Sequence, residues 1–532
     1  MFIDARTLAE AATIEADICI IGAGAAGITM ARELAGSGRR VAVFESGGFD
    51  FEQPTQQLYD GAVTGQPMPP LVVERLRYLG GSTNHWSGGC RPFDAEDMAV
   101  RSYIPDSGWP IGVADLDPFY RRAQAICQLG PYTYAPRDWA EGAAQPLDLG
   151  ADAALRTGIF QYSPPTRFGE VYRADLERAE GVGVYLHANT VGIETDDSAG
   201  TVTGLRLACL DGHRFHAVAK AYVLATGGIE NPRLLLNADK VQKAGLGNGH
   251  DLVGRYFMDH PYVSGAATVM LAGAAPSLDF YQQRQVRGIP VGAYFGATPA
   301  AAQAEGLPGF CIGLVPQTMA EQGTGRDSLK TIVADIKSGH WPDHLAYHLG
   351  QILNSAEWRA ETTYYRWTHA KPTVLSTDYI CECPPDRDSR VTLGDDVDAL
   401  GMRRVKVDWR LPADFERTMG RAHELLAQEL GRLGIGRLRM NTRETGHDAM
   451  AAIANGFHHM GTTRMHRDPR HGVVDADCRV HGMANLFIAG SSVFPTYSFD
   501  NPTMTIVALA LRLSDHLKST VLSALDLPGG SR

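Results

Sequence analysis

The spacing of hydrophobic positions changes several times along this chain, and each change predicts an element. Residues 17–21 (DICII) are short, apolar and β-branched, the pattern of a buried strand. Gly22-Ala23-Gly24-Ala25-Ala26-Gly27 then turns the chain into a helix over 28–35, which Gly36-Ser37-Gly38 ends; 41–44 reads as a second buried strand closed by Glu45. Residues 101–182 are rich in proline and aromatics and read as loops and short helices. From 184 to 226 strand alternation returns (VYLHANT, VTGLRLACL, FHAVAKAYVLATGG), predicting a β-meander followed by a buried strand at 222–225. Gly227-Gly228 opens a helix over 231–237 with Pro232 in its first turn. Between about 262 and 443, GAATVML, GIPVGAYFG, RVTLG and RRVKVDW read as strands around a helical stretch at 328–368. A helix over 413–433 puts Met419, Ala422, Leu425, Leu426 and Leu433 on one face, as a core-facing stripe. Near the end, 486–489 is a strand, Gly490-Ser491-Ser492 a turn, and an apolar helix begins at Thr503, with Asn501 as its expected N-cap and Pro502 in the first turn.

The first unit is a complete βαβ, and its glycines have separate physical roles. Gly22 permits the tight turn, Gly24 lets the backbone approach a pyrophosphate, and Gly27 allows close helix–strand packing. Unpaired N–H groups at the helix start face the phosphates, and Glu45, about 20 residues on, is placed to accept from ribose hydroxyls. This predicts a dinucleotide site. Only one such unit is visible and no second nicotinamide-type fingerprint follows, so a flavin is expected rather than NAD. The helix start after Asn501 is a second anion-stabilising position.

At 532 residues, the chain is long enough for two or three structural units. The 44% hydrophobic and 20% charged composition excludes a mostly disordered chain. Its 58 glycines lack a Gly-X-Y period, which excludes collagen. Against 49 Lys+Arg stand 60 Asp+Glu, a net charge of −11 with no long basic run, which excludes a nucleic-acid partner. The eight cysteines form no C-x-x-C pair and are expected reduced and buried. His458, His459, His466, His471 and Cys478 match no zinc spacing, so no metal is expected. The start, MFIDARTLAEAATIEAD, lacks the basic-then-apolar pattern of a signal peptide, giving a cytoplasmic expectation. The apolar run 504–513 contains Thr505 and Arg512 and is too short for a membrane span.

Seven segments together resemble one family, the glucose–methanol–choline (GMC) oxidoreductases, FAD enzymes that oxidise alcohols. They are GAGAAG with Glu45; GGSTNHWSGG at 80–89; ATGGIENPRLLL at 225–236; DLVGRYFMDHP at 251–261; HHMGTTRM at 458–465; VVDADCRVHGMANLFIAGSSVFPT at 473–496; and NPTMT at 501–505. His85-Trp86 and Asn501-Pro502-Thr503 are most similar to the pyranose oxidase, glycoside oxidase and sugar-acid dehydrogenase branch. The resemblance implies a Rossmann-like α/β FAD domain from 1–100, 183–262 and 470–532. It implies an antiparallel-sheet substrate domain from 101–182 and 263–469, with the helical insertion near 328–368 as a lid or subunit contact of a homo-oligomer.

The resemblance also assigns residues. FAD would be held by Gly22, Gly24, Ala26, Gly27, Glu45 and Ser46; by Gly81, Ser82, Asn84, His85, Trp86 and Ser87; by Val191, Ala225, Thr226, Gly227 and Asn231; and by Gly490, Ser491, Pro502 and Thr503. The flavin is expected to be non-covalent, with a covalent link through His85 as the alternative, because Ser-Thr-Asn replaces the usual residues before the His-Trp. In the family reaction an alcohol C–H gives hydride to flavin N5 and its O–H proton goes to a base. The H-x-x-G-T match makes His458 that base and His459 a scaffold histidine. Asn501 stands where many members have a second histidine, and an amide can bond the substrate oxygen but cannot take its proton. Asp259-His260 is expected to order a loop near the domain junction, and Glu382 and Arg390 to make structural ion pairs or touch substrate. The implied substrate is a sugar, glycoside or polyol, with oxygen or a quinone or cytochrome as acceptor. The alternatives are a non-sugar alcohol, and a lyase, photodecarboxylase or scaffold on the same fold. Export alongside a signal-bearing partner is the alternative to a cytoplasmic location.

Overall fold

Short apolar runs without polar alternation need cover on both faces, and a parallel sheet between helices supplies it. Such runs form six parallel strands, in the spatial order Phe2–Asp4, Val182–Leu186, Val41–Phe44, Ile18–Ile21, Ala221–Leu224 and Leu486–Ile488. The central four contain no exposed residue, and Ile18–Ile21 and Val41–Phe44 are buried throughout. The computed structural model describes residues 1–273, 276–316, 374–441 and 453–521, with 328, 332, 333, 345 and 349. The predicted helical stretch 328–368 thus falls outside the described residues except at those five positions.

Helix α1 (Ala25–Leu34) starts three residues before the predicted 28. Only Gly22 in this turn needs a left-handed backbone (φ +98°), so Ala25 is already free to be helical. Gly22 N–H donates to the Phe44 carbonyl at 2.8 Å, tying the turn to the neighbouring strand. Helix α2 (Val113–Ile126) lies in the proline-rich segment, and α3 (Gly227–Asn237) begins at its glycine pair rather than at 231. Helix α4 (Phe415–Arg432) buries Met419, Ala422, Leu425 and Leu426 as its stripe predicts. Helix α5 (Thr503–His516) packs on both α1 and α2, so part of segment 101–182 lies against the parallel-sheet layer.

A second sheet is antiparallel and, among the described residues, has nine strands. Its path runs Gly436–Met440, Pro261–Leu271, Val374–Cys381, Phe310–Pro316, Ile289–Ala297, Leu155–Tyr162 and Gly89–Cys90, with Arg284–Val286 and Ile453–Asn455 paired beside it. Gly89–Cys90, sequentially part of the loop after the first βαβ, therefore belongs to this sheet and joins the two layers. Two predicted groupings differ. VYL does not open the meander but enters the parallel sheet, because its residues are apolar enough for an inner position; the meander is Asn189–Thr195, Val202–Ala208 and Arg214–Val218. RVTLG and RRVKVDW pair with each other and with Gly61–Gly65 as a separate three-stranded sheet over Leu71, Phe257, Val391, Val407 and Trp409. All eight cysteines are buried free thiols. Among the described residues no helix is long and apolar enough to cross a membrane.

A Cβ on Gly27 would sit 1.9 Å from the Gly22 carbonyl oxygen, against backbone that cannot swing aside. Gly27→Ala should therefore push α1 off its strand, lowering stability by about 1–3 kcal/mol, read as a lower thermal midpoint together with loss of bound flavin absorbance.

Candidate active site

One cavity runs from the Gly22–Gly27 turn past the 81–89 loop to the start of α5. Of the residues singled out in the sequence, it is lined by Gly22, Gly24, Ala26, Glu45, Ser46, Gly81, Ser82, His85, Trp86, Ser87, Ala225, Thr226, Gly227, His458, His459, Gly490, Ser491, Asn501, Pro502 and Thr503. Four others stand behind the wall. Gly27 is the packing glycine described above. Asn84 donates to the Leu79 carbonyl at 2.9 Å, bracing its own loop. Asn231 accepts from Thr226 N–H (2.9 Å) and donates to Ser492 Oγ (2.9 Å), linking the α3 turn to the 490–492 turn. Val191 packs against the core while its neighbour Thr190 reaches the cavity.

Glu45 is buried, and its oxygens accept from Ala23 N–H (2.8 Å) and Gly47 N–H (3.0 Å). Burial raises its pKa, and these backbone donors oppose the rise. Tyr59, Arg75, Arg77 and Glu230 also line the cavity, and sequence reading missed them. Both guanidiniums lie over the Tyr59 ring, at 4.0 and 4.7 Å. Burial alone would raise Glu230, but Arg233, Arg77 and Arg75 outweigh it and hold the carboxylate at about 2. Arg75 and Arg77 lie some 150 residues from Glu230, so no local pattern announces them.

At the other end three loops meet. His458 follows the strand Ile453–Asn455, which pairs with the beginning of Pro261–Leu271. Between them lies Asp259, fully buried, whose Oδ1 accepts from the backbone N–H of His260 (2.7 Å), His458 (2.9 Å) and Gly456 (3.2 Å), and whose Oδ2 accepts from Asn455 Nδ2 (3.0 Å). Burial pushes Asp259 up to about 6 against these donors. The Asp259-His260 pair was expected only to order a loop. Asp259 does that, but the His260 ring goes further: its Nδ1 lies 2.8 Å from His458 Nδ1 and its Nε2 3.0 Å from the Ser498 carbonyl. Burial, then His260 and His459, hold His458 well below the ordinary 6.5. His459 also lines the cavity, with Nε2 2.7 Å from Glu74 Oε2 and its ring stacked on Phe257. Phe457, in a left-handed backbone (φ +59°), extends over His85 with the two rings nearly parallel.

Asn501 is not the N-cap expected of it. The cap position is Pro502, with no side-chain cap, and Asn501 Nδ2 instead donates to the Gly89 carbonyl at 3.0 Å. Tertiary contact has overridden a local preference. Asp500 beside it makes a buried ion pair with Arg91 (2.8 Å), so the segment is pinned twice to 89–91. Glu382 makes a bidentate buried pair with Arg101 (2.7 and 2.6 Å), and Arg390 reaches Asp251 at 3.2 Å; neither lines the cavity.

A family profile of GMC oxidoreductases matches residues 385–510, a stretch containing both His458 and Asn501. Over that stretch the chain is similar to the GMC oxidoreductases. It is similar to the fructose dehydrogenase large subunit of Gluconobacter japonicus, 23% identical over 587 residues, covering 94% of this chain and 98% of that one. It is also similar to the 2-methyl-1,2-propanediol dehydrogenase of Mycolicibacterium austroafricanum, 25% identical over 586 residues, covering 96% and 97%. Among solved structures, pyridoxine 4-oxidase from "Mesorbium loti" superposes with a TM-score of 0.55 at 17% identity, covering 94% of this chain and 98% of that one, which places the fold.

GMC oxidoreductases bind FAD, and the residues present fit it. Added Cβ atoms at Gly24, Gly227 and Gly490 would meet nothing within 4 Å, although each glycine lines the cavity. Thr190 Oγ1, also at the wall, is buried without a hydrogen-bond partner. Helix α1 has no side-chain cap, leaving its N-terminus to an anion. Gly24→Val should consequently fold with a near-native thermal midpoint when free of flavin yet hold little FAD. Measuring flavin content beside the flavin-free midpoint separates it from Gly27→Ala, which loses both.

Proposed function

We propose that this GMC oxidoreductase oxidises an alcohol carbon of a sugar, glycoside or polyol to a carbonyl, with His458 as general base. The observation that carries the reading is that His458, Asn501 and the first turn of α5 line the same cavity as the Gly22–Gly27 turn. Fructose dehydrogenase and 2-methyl-1,2-propanediol dehydrogenase, by their names, act on substrates with neighbouring hydroxyls, which favours a polyhydroxylated substrate.

FAD, when bound, supplies the acceptor for the hydride that leaves the alcohol carbon. His458, neutral because its pKa is depressed, takes the hydroxyl proton as the C–H bond is broken. Asn501 fixes the substrate oxygen by hydrogen bonding without competing for the proton. The uncapped N-terminus of α5 faces the cavity with its positive dipole end, where negative charge develops. Glu45 and Ser46 would hold the ribose, and the N-terminus of α1 the pyrophosphate. His85 faces the cavity with its backbone N–H bonded to the Ser82 carbonyl at 3.3 Å, and we read the flavin as non-covalent. Acid precipitation should then release FAD into the supernatant, and a yellow pellet would mean a covalent link. The acceptor, oxygen or a quinone or cytochrome, is set by access to the cofactor.

The deciding measurement is anaerobic bleaching of the flavin band against monosaccharides, glycosides, polyols, 2-methyl-1,2-propanediol and simple alcohols. A sugar or polyol should bleach it, and admitting air then separates oxidase from dehydrogenase. Bleaching by none of them would remove the sugar reading. His458→Ala should keep its FAD and bleach about 10²–10⁴-fold more slowly. Because the base form of a histidine persists down to its pKa, and His458 lies well below 6.5, the wild-type rate should stay level as pH falls through 6.5 and drop only in more acidic buffer. A rate that already halves at 6.5 contradicts the depressed base.

A further inference from the structure

We infer that His260 is a positioning residue that holds His458 in the one neutral tautomer whose Nε2 is bare, the form able to take a proton from the substrate. The inference rests on His458 being the base, and it assigns a role to a histidine 198 residues away in sequence.

Ser498 presents a carbonyl oxygen 3.0 Å from His260 Nε2, and a carbonyl can only accept. His260 Nε2 must therefore carry hydrogen. His260 is 1% exposed and burial holds its pKa near 3, so it is a neutral ring with one N–H, and its Nδ1 is a bare acceptor. That acceptor lies 2.8 Å from His458 Nδ1, and one proton must lie between the two nitrogens. It belongs to His458. A neutral His458 protonated at Nδ1 has its lone pair at Nε2, on the far side of the ring from His260. The reverse arrangement leaves His260 Nε2 and the Ser498 carbonyl as two acceptors facing each other in a buried site. Both nitrogens of His260 meet polar atoms as placed, and a flipped ring would meet them with carbon.

The surroundings are built for this. Tyr497 stacks edge-on against His260 at 4.6 Å, and its hydroxyl donates to the Asp259 carbonyl. Ser498, which offers the carbonyl, and Phe457, which precedes His458, are both non-glycine residues in the left-handed region (φ +56° and +59°). Such residues are uncommon and concentrate where a functional geometry is imposed. Asp259 fixes the main chain of both histidines, so the rings have little freedom left. When His458 gains its second proton at Nε2, Nδ1–H keeps the same partner in a charge-assisted bond, and no group has to move. The chain of bonds ends at a carbonyl, so it cannot conduct the proton away; the proton leaves through the cavity.

The test uses FAD-loaded enzyme with ¹⁵N-labelled histidine, the His458 signals being those lost in His458→Gln. His458 should appear protonated at Nδ1 and bare at Nε2. Protonation at Nε2 instead overturns the inference, whatever the activity. His260→Phe keeps a ring against Tyr497 but offers no acceptor. It should retain FAD, show mixed His458 tautomers and bleach about 10²-fold more slowly or worse. His260→Asn, whose Oδ1 can take the place of Nδ1 as acceptor, should recover most of that loss and restore the single tautomer. Equal rates and tautomers in the wild type and His260→Phe would also overturn it. If His260→Phe does not fold, the wild-type tautomer and the His260→Asn rate still decide. Failure of the base assignment itself shows differently, as undiminished bleaching in His458→Ala.

Discussion

The four N–H groups gathered by the buried carboxylate of Asp259 are what bring the reacting side of the cavity together. A carboxylate taken out of water is costly unless its lone pairs are used. Here they are filled by the backbone of His260, Gly456 and His458 and by the Asn455 amide. The loop after Phe257 and the loop after Asn455 cannot part without stranding that charge. The antiparallel pairing of Pro261 with Asn455 extends the same junction into the second sheet. The two imidazoles meet because their main chains are already held by one side chain that touches neither ring nitrogen.

A third loop closes on this junction through consecutive contacts of different kinds. The Ser498 carbonyl meets His260, the Asp500 carboxylate meets Arg91, and the Asn501 amide meets the Gly89 carbonyl. Since Gly89–Cys90 is itself a strand of the antiparallel sheet, the start of α5 is fixed relative to that sheet as well as to the parallel one, against which α5 packs through α1 and α2. The two layers therefore share one rigid segment at the point where a helix N-terminus faces the cavity.

What the sequence made legible divides along contact distance. The first βαβ unit, the stripe of α4 and the start of α5 depend on neighbours within a few turns, so periodicity and glycine spacing suffice. The seven family segments likewise located most of the cavity wall. Features that depend on distant partners were not legible. Asn501 reads as a cap because N-cap preference is local, yet Gly89 claims its amide. VYL reads as a meander strand, but an inner position in the parallel sheet was available. Arg75, Arg77 and Glu230 form a buried charge cluster whose members look like ordinary surface residues in sequence. His260 could be assigned to a loop-ordering motif, but nothing within its own segment indicates that its ring faces His458.

The electrostatics of the reacting end follow from this arrangement. Glu230 has its guanidiniums, Glu45 its backbone donors and Asp500 its arginine, so these three carboxylates already have their partners. His458 is backed by a neutral imidazole rather than by a carboxylate. A carboxylate in the place of His260 would raise the proton affinity of His458 and keep it charged before substrate arrives. With His458 as the proposed base, a neutral acceptor would fix the tautomer without that penalty and leave His458 unprotonated at neutral pH. In the proposed reaction charge would then separate only as the substrate reacts, positive on His458 and negative toward the uncapped start of α5, inside a cavity where opposite charges attract more strongly than in water. On that reading the histidine pair and the helix terminus would act on the two ends of the same developing dipole, and neither would have to be neutralised beforehand.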